Sequence, residues 1–383
     1  MAYYFIFPEL DTTLYSHPNR SEMNSGGDEL LEIVKERGNT NQVLYPSRIL
    51  LKFKNEDIQT TISDIVGHNN FPLSKVNLNL TSAEPKNLLQ TLNLKLFTVS
   101  QSWEEGTGRY SNLPTGSNGA SWKFRNNTII KHEWRTSSFA PGSTGSVDSA
   151  SPITKGGGVW YTGSGFEVTQ QFLVGDSLDT NFDVTDIISK FSQSIFNSAV
   201  YPNGIVNNGF LIKKPDAIEA NTSHSFGQLQ YFSVDTHTIH HPKLTFKWDD
   251  SIHNSQSLAK IKGDLHVTLY RNRETYNQND EAFFRIHVRD RYPIRQFASS
   301  SNYLNPGYFT TSSFYSIRDA YTEQEIIPFD TSYTKLSADD EGMFFKLHMK
   351  GLQPERYYRI LFKHTNDEGT KVYDDNYYFK VIR

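Results

Sequence analysis

The 383-residue sequence contains no cysteine. It therefore cannot form disulfide bonds, use a thiol nucleophile or build a cysteine-based zinc site. A basic excess is also missing, since 38 lysines and arginines face 42 aspartates and glutamates and leave a formal charge of −4. Proteins that neutralise nucleic-acid phosphates or anionic lipids carry such an excess, so neither nucleic acid nor a membrane surface is expected as a partner.

Long apolar runs are missing too. No stretch approaches the roughly 20 residues that a membrane-spanning helix needs. The opening MAYYFIFPELDTT has no basic flank, is interrupted at Pro8 and lacks a small-residue cleavage site, so it predicts a first strand and not a secretory signal. We therefore expect a protein made in a cytoplasm. Aromatic residues are plentiful at 14%, which excludes a disordered chain.

Strand-like patterns occur along the whole sequence and predict an all-β protein. Strands are predicted at SRILLKF (47–53), KVNLNL (75–80), LKLFTV (94–99), FFRIHVR (283–289), FFKLHMK (344–350) and YYRILFK (357–363). Helical spacing is clear only in DVTDIISKFSQSIF (183–196), where Thr185 can begin a short amphipathic helix. The segment 28–35 fits either state, and its context favours a strand.

The sequence predicts two domains. Between 249 and 262 the composition becomes polar and the strand pattern stops, and a new alternating pattern begins at Asp264. We therefore predict domains at 1–248 and 263–383 with a linker at 249–262. In the second domain, Leu352, Pro354 and Tyr358 form an L-x-P-x-x-x-Y arrangement. It resembles fibronectin type III and immunoglobulin-like β-sandwiches, in which such a tyrosine closes a corner between sheets.

The first domain carries a series of motifs in a characteristic order. These are SRILLKF, SWEEGTG, GASWKF, NFDVTDII, NGFLIK and LQYFSVDTHTIHHPKLTF. From residue 11 to residue 248 the sequence resembles the DNRLRE-type jelly-roll domain, which is akin to a carbohydrate-binding module. The most specific parts are W-x-E-G at Trp103 and G-A-x-W at Gly119. The sequence departs from the family in having Ser-Val-Asp at 233–235, where Ser-Arg-Glu is usual, and in its longer Gly/Ser-rich insertions.

The two ends of the chain, AYYFIFPELDTTLYS and the segment from SSFYSIRDAY to ERYYRI, resemble virion structural proteins of large tailed bacteriophages. This resemblance implies a non-enzymatic decoration, neck or tail accessory subunit, present in several copies and assembled in the host cytoplasm. Its partners would be other virion structural proteins. The alternative is a carbohydrate-binding module that adheres to a host surface glycan.

The sequence predicts no catalytic residue, no cofactor and no metal site. Glu104 and Glu105 are adjacent, so on a strand they would point to opposite faces and could not flank one glycosidic bond. A hydrolase acting on cell-surface polymer would need a carboxylate pair that the sequence does not reveal. The group His237, His240 and His241 has metal-like spacing, but a strand would place at most two of its members on one side.

Two groups of aromatic and basic residues are candidate contact sites. In the first domain the aromatic set Trp122, Tyr110, Trp134, Trp160 and Tyr161 could form a platform on which sugar rings stack, or could instead plug the open ends of the jelly roll beneath its long loops, and we favour packing. Within the set, Tyr110, Trp134 and Tyr161 lie outside the family motifs and are expected to be freer to contact a glycan. Trp103 and Trp122 are expected to lock those loops. In the second domain, the mixture of arginine and tyrosine is typical of protein interfaces. The partner-contact candidates there are Arg289, Arg291, Tyr292, Arg295 and Tyr308.

Overall fold

The structure, a computed structural model, describes residues 2–38, 43–86, 91–111, 118–128, 130–134, 156–196, 204–225, 227–254, 264–293, 307–309, 311–365 and 369–383, with the backbone alone at 144–146, 259–260 and 366. Within these ranges, no helix is both long enough and apolar enough to cross a membrane.

Short strands alternate with few helices in the first part of the chain. The strands are β1 (Ala2–Ile6), β2 (Leu10–Tyr15), β3 (Leu30–Ile33), β4 (Lys35–Arg37), β5 (Leu44–Lys52), β6 (Lys75–Asn79), β7 (Leu92–Thr98), β8 (Phe124–Asn127), β9 (Lys131–Glu133), β10 (Thr144–Ser146), β11 (Val159–Tyr161), β12 (Glu167–Phe172), β13 (Phe182–Asp183), β14 (Phe210–Lys213) and β15 (Leu229–Phe232). The helices are α1 (Asn55–Thr60), which continues as a π-helical turn at Thr61–Val66, a 3₁₀ turn at Phe71–Leu73, α2 (Thr185–Phe196) and α3 (Asp216–Ala220).

The second part consists almost entirely of strands. These are β16 (Lys243–Trp248), β17 (Ala259–Lys260), β18 (Leu265–Leu269), β19 (Thr275–Asn277), β20 (Glu281–Asp290), β21 (Gly307–Tyr308), β22 (Ser313–Asp319), β23 (Glu325–Ile327), β24 (Ser337–Asp339), β25 (Gly342–His348), β26 (Arg356–Asn366) and β27 (Gly369–Ile382), with a 3₁₀ turn at Met349–Gly351. The predicted all-β class is confirmed, as are the helix at α2 and the strand at β3.

The chain divides into two compact units. The N-terminal unit comprises Ile6–Ile65 and Lys75–Thr245, and the C-terminal unit comprises Met1–Phe5, Val66–Ser74 and Phe246–Arg383. This division differs from the expected domains, because two segments from the first part of the sequence belong to the C-terminal unit.

The start of the chain illustrates why the sequence could not reveal this division. Tyr3 and Phe5 are only 3% and 4% exposed and belong to the hydrophobic core of the C-terminal unit. The Tyr3 hydroxyl donates to Asp330 Oδ2 at 3.1 Å. A Cβ on Gly351 would lie 2.9 Å from the Phe5 ring, so this glycine allows the strand to pack closely. No local pattern encodes a contact over such a sequence separation.

The described part of the expected linker is bonded to the C-terminal unit. The Ala338 N–H donates to the Ile252 carbonyl at 2.9 Å, and the Asn254 N–H donates to the Ala338 carbonyl at 2.9 Å. Further along, β17 pairs with β21 in parallel. The described residues of this segment therefore lie at the edges of a sheet, which accounts for their polar composition.

The N-terminal unit is built on an antiparallel sheet with the order β12-β7-β14-β5-β2, to which β4 adds by pairing with β5. One face carries Leu50, Leu211 and Phe97, which the strand register places on neighbouring strands. The opposite face carries Phe210, whose ring lies 5.6 Å from that of Phe191 on α2. Both faces are covered, which explains why nearly all of β5 is buried.

From β17 onward, the described strands of the C-terminal unit form two sheets. One has the order β17-β21-β20-β25-β24 with β18 paired to β20, and the other has the order β19-β27-β26-β22-β23. The predicted period-two alternation is confirmed, since Phe284, Phe345 and Ile360 from the three predicted strands are at most 1% exposed and share one core. This core draws on both sheets, as a β-sandwich requires.

The tyrosine corner expected from the L-x-P-x-x-x-Y arrangement is present as a hydrogen bond. Tyr358 is 2% exposed, and its hydroxyl donates to the Gln353 carbonyl at 2.9 Å. The bond fixes the chain where it enters β26.

Candidate functional site

Four tryptophans cover one face of the N-terminal sheet. Trp103, Trp122, Trp134 and Trp160 are 3% to 4% exposed and share a cluster with Phe97. The expectation that the loops here are packed down is met by these residues. The expectation that Trp134 is a freer, glycan-contacting ring is wrong, because the ring lies in this cluster and its Nε1–H donates to the Ser121 carbonyl at 2.9 Å. Burying a large ring with its one donor satisfied is favourable, which accounts for its position.

Tyr110 remains partly accessible, at 38% exposed, but it is held in place. Its hydroxyl donates to Glu36 Oε1 at 2.7 Å, and the Arg20 guanidinium lies 3.7 Å from the ring centroid. Burial, and the hydrogen bond to Glu36, raise the pKa of this hydroxyl above its ordinary value. Tyr110 therefore forms a fixed structural contact that leaves part of the ring in solvent.

Tyr161 lies elsewhere, at the end of β11, where it is half-buried with its ring 5.5 Å from that of Phe166. Among the ring contacts of the described residues, none joins Tyr110, Trp134 and Tyr161 to each other. The structure therefore does not bring the predicted glycan-contact residues together as one platform: Tyr110 is 38% exposed, Tyr161 is half-buried and Trp134 is buried.

Asn24, which the sequence analysis did not single out, organises the loops that carry the W-x-E-G and G-A-x-W motifs. Its Nδ2 donates to the carbonyls of Glu105 and Ala120 at 2.5 and 2.7 Å. Its Oδ1 accepts from the N–H groups of Gly26 and Gly108 at 3.1 and 2.8 Å. The glycines of the motifs let the backbone come this close. At Gly106, which has a φ of +84°, a Cβ would lie 2.4 Å from Asn24 Oδ1.

A buried ion network lies beneath the same cluster. Arg48 donates to both carboxylate oxygens of Glu219, at 3.0 and 2.5 Å, and to the Gly157 carbonyl at 3.0 Å. Its guanidinium also lies 4.5 Å from the Trp122 ring centroid. Lys213 bonds to the same carboxylate at 3.0 Å. These two cations, against the effect of burial, hold the pKa of Glu219 below its ordinary value. Each charge is paired, so the network is a structural one.

Glu105 faces a second carboxylate that the sequence analysis missed. Its Oε1 accepts from the backbone N–H of Asp11 at 2.8 Å. The Asp11 carboxylate is 1% exposed and accepts from the Val234 N–H at 2.7 Å and the Ser233 hydroxyl at 3.3 Å. Burial, with the charge of Glu105 adding to it, raises the pKa of Asp11 to about 8, and burial together with Asp235 raises the pKa of Glu105 to about 7.

The histidine group is spread over separate contacts. The side chain of His237 is 91% exposed. His240 stacks on Phe232 with ring centroids 5.1 Å apart, and His241 meets Phe7 edge-on at 5.9 Å. In the described part of the chain, no cluster of three or more histidine, aspartate or glutamate side chains has the arrangement of a metal site.

The partner-contact candidates lie at the end of β20. Arg289 is half-buried on β20, Tyr292 is 79% exposed just after it, and Arg291 forms an exposed ion pair with Asp264 at 3.5 Å. Tyr308 is on the neighbouring strand β21, whose Gly307 pairs with Val288 of β20. Strand pairing thus places all four near the end of β20, although the Tyr308 ring packs against the core and lies 5.6 Å from the His253 ring. Arg295 lies outside the described residues.

The outward side of β20 continues this surface. Phe283, which is 41% exposed, stacks on Phe344 of β25 with centroids 4.5 Å apart. The Arg285 guanidinium lies 4.7 Å from the Phe283 ring centroid and bonds to Asp339 at 2.5 Å. We call this surface the β20 face; it comprises Phe283, Arg285, Arg289, Arg291, Tyr292, Tyr308 and Phe344.

No protein-family model matches the chain, and no curated protein shows a significant match to it. The family resemblances described above therefore remain predictions.

Proposed function

We propose that the chain is a non-enzymatic structural component of a tailed-phage virion, a decoration, neck or tail accessory subunit that acts through contacts with other virion proteins. The proposal rests first on the resemblance of both chain ends to such proteins. It is supported by an all-β architecture whose loops are held by buried hydrogen bonds, as at Asn24. Rigid units of this kind present surfaces that need little reordering on assembly.

The observation that carries the proposal is the β20 face. It presents Phe283, which is 41% exposed and stacks on the buried Phe344, together with arginines of β20 and an exposed tyrosine just after the strand. Arginine and aromatic residues are enriched where protein interfaces concentrate their binding energy. Arg285 is already oriented by Asp339 and Glu341, so less side-chain entropy is lost when a partner binds.

The test is incorporation into particles. Phage encoding Arg289→Ala, Arg291→Ala and Tyr292→Ala together are expected to contain far fewer copies of the chain per purified particle than wild type, because truncating interface anchors costs ~2 kcal/mol or more. The double variant Arg37→Ala with Arg109→Ala, which alters exposed arginines of the N-terminal unit, is the control and should incorporate normally.

Quantitative mass spectrometry of purified particles gives the copy number. If a folded triple variant is incorporated at the wild-type level, the β20 face is not the docking surface. If the wild-type chain is absent from purified particles, the virion proposal itself fails.

A further inference from the structure

The outer side of the second C-terminal sheet carries exposed tyrosines at one end. Tyr357, near the start of β26, is 58% exposed, and Tyr378, near the end of β27, is 40% exposed. The strand register places Tyr357 opposite Lys380 and Tyr378 opposite Arg359. Rings and cations therefore alternate across the two strands, while the residues between them point into the core.

A third tyrosine projects from the turn that follows β22. Tyr321 is 96% exposed. The turn is nonetheless well fixed, because the buried Asp319 accepts from the Tyr321 N–H at 3.0 Å and from the Arg356 guanidinium at 2.7 and 2.6 Å. The Ala320 N–H donates to the Tyr357 carbonyl at 2.9 Å, which places the turn beside β26.

These three rings are exposed and yet attached to rigid backbone. A tyrosine side chain has only two rotatable torsions, so it loses little conformational entropy on binding and offers a large contact area, which is why tyrosine is frequent among residues that dominate interface energies. We call this surface the tyrosine face; it comprises Tyr321, Tyr357, Arg359, Tyr378 and Lys380.

The two cations of the tyrosine face are paired with carboxylates that border it, so the surface as a whole has mixed sign. Arg359 bonds to Glu323 at 2.6 Å and also to Asp374, and Lys380 bonds to Glu355 at 2.5 Å. A surface of one sign would repel a copy of itself and would favour an oppositely charged partner. A surface of mixed sign, with rings and cations alternating, can instead meet an identical surface, since a two-fold interface must be complementary to itself.

We propose that the tyrosine face is a self-association surface, on which a second copy of this chain docks about a two-fold axis. In this arrangement the rings of each copy meet cations and rings of the other. The contact goes beyond docking into the virion, because it uses the opposite sheet of the C-terminal unit from the β20 face.

Sedimentation equilibrium of the full chain over a range of concentrations tests the proposal. The wild type is expected to form a dimer. The variant Tyr321→Ala, and the double variant Tyr357→Ala with Tyr378→Ala, should each weaken dimerisation by about 30-fold or more, as loss of an interface anchor does. Leu73→Ala, which truncates an apolar side chain that is 79% exposed and belongs to neither face, should leave the dimer unchanged.

A charge variant separates loss of the contact from loss of the fold. Glu323→Lys with Asp374→Lys makes the face largely cationic, so the dimer should weaken strongly at low salt and recover in part at high salt, where like-charge repulsion is screened. Thermal melts of each variant check folding. A wild type that stays monomeric at every concentration, or a dimer unaffected by the tyrosine variants, would overturn the proposal. Incorporation into particles is measured separately, so the two proposals can fail independently.

Discussion

At the scale of single residues, Asn24 shows how a short polar side chain can hold a long insertion in place. Its side-chain amide donates to the carbonyls of Glu105 and Ala120, and its side-chain oxygen accepts from the N–H groups of Gly26 and Gly108. Backbone groups therefore use all four of its hydrogen-bonding positions. Leaving these groups unbonded in a buried setting would cost far more than a surface hydrogen bond is worth. The signature glycines and tryptophans around it therefore depend on a residue about 80 positions earlier in the sequence.

The substitution Asn24→Ala is expected to lower the free energy of unfolding of the N-terminal unit by about 3 kcal/mol, since four buried hydrogen bonds are lost. Urea unfolding followed by tryptophan fluorescence measures this, because Trp103, Trp122, Trp134 and Trp160 all lie in that unit. Asn19→Ala, at an exposed position, should change stability little. Equal stability of the two variants would show that Asn24 does not hold the loops.

At the scale of elements, β26 begins at the tyrosine corner and has two different faces. Tyr358 points into the core and bonds back to Gln353, while the adjacent Tyr357 points outward. Adjacent residues of a strand alternate between faces, so these two tyrosines share a residue type and a strand but not an environment. They form a natural matched pair for experiment.

Tyr358→Phe removes only the hydroxyl of a buried tyrosine and is expected to destabilise the C-terminal unit by about 1 kcal/mol, because the Gln353 carbonyl loses its donor. Tyr357→Phe makes the same chemical change at a position that is 58% exposed and should cost much less. Thermal unfolding by far-UV circular dichroism compares the two. If both variants melt alike, the corner hydrogen bond contributes nothing to stability.

At the scale of the whole molecule, a buried carboxyl group and a buried lysine have opposite effects on how the stability of the fold changes with pH. Burial raises the pKa of Asp11 to about 8 and, in the same unit, lowers the pKa of Lys214 to about 7, with the charge of Lys35 adding to the second effect. The Lys214 ammonium donates to the carbonyls of Ser225 and Gly227 at 3.0 and 2.6 Å. The carboxyl group favours folding at low pH, and the lysine favours it at high pH.

The direction in which Asp11 changes the stability with pH follows from the difference between its pKa values in the folded and unfolded chain. Its pKa is higher in the folded chain than the 3.8 expected when unfolded, so its contribution to stability is fully present below pH 3.8 and is lost as the pH rises through about 8. The contribution of Asp11 to stability should therefore fall between about pH 5 and pH 8. In Asp11→Asn the stability at pH 8 relative to pH 5 should be higher than in wild type by roughly 4 kcal/mol, since each pH unit in this window is worth about 1.4 kcal/mol. Urea unfolding at both pH values is the measurement.

A control for this pH experiment is Glu167→Gln, which removes an exposed carboxylate from β12 and should keep the wild-type slope. A slope in Asp11→Asn equal to that of wild type would show that Asp11 is ionised in the folded chain throughout this range.

The sequence by itself determined the elements whose signal is local. The alternation of Phe284, Ile286 and Val288 predicted a half-buried strand, the spacing of Ile187, Ile188 and Phe191 predicted α2, and both are present. The tyrosine corner was also readable, because its partners lie five residues apart. The grouping of the candidates near β20 was predicted as well, since most of them are close in sequence.

Only the tertiary structure decided which elements share a core and which aromatic rings reach solvent. Composition made Trp134 and Tyr110 equivalent candidates, yet one is 4% and the other 38% exposed. Tyr3 lies more than 300 residues before its hydrogen-bond partner Asp330. Burial and pairing of this kind depend on which surfaces meet when the chain collapses, and that is a property of side-chain packing over the whole fold, which a local pattern does not encode.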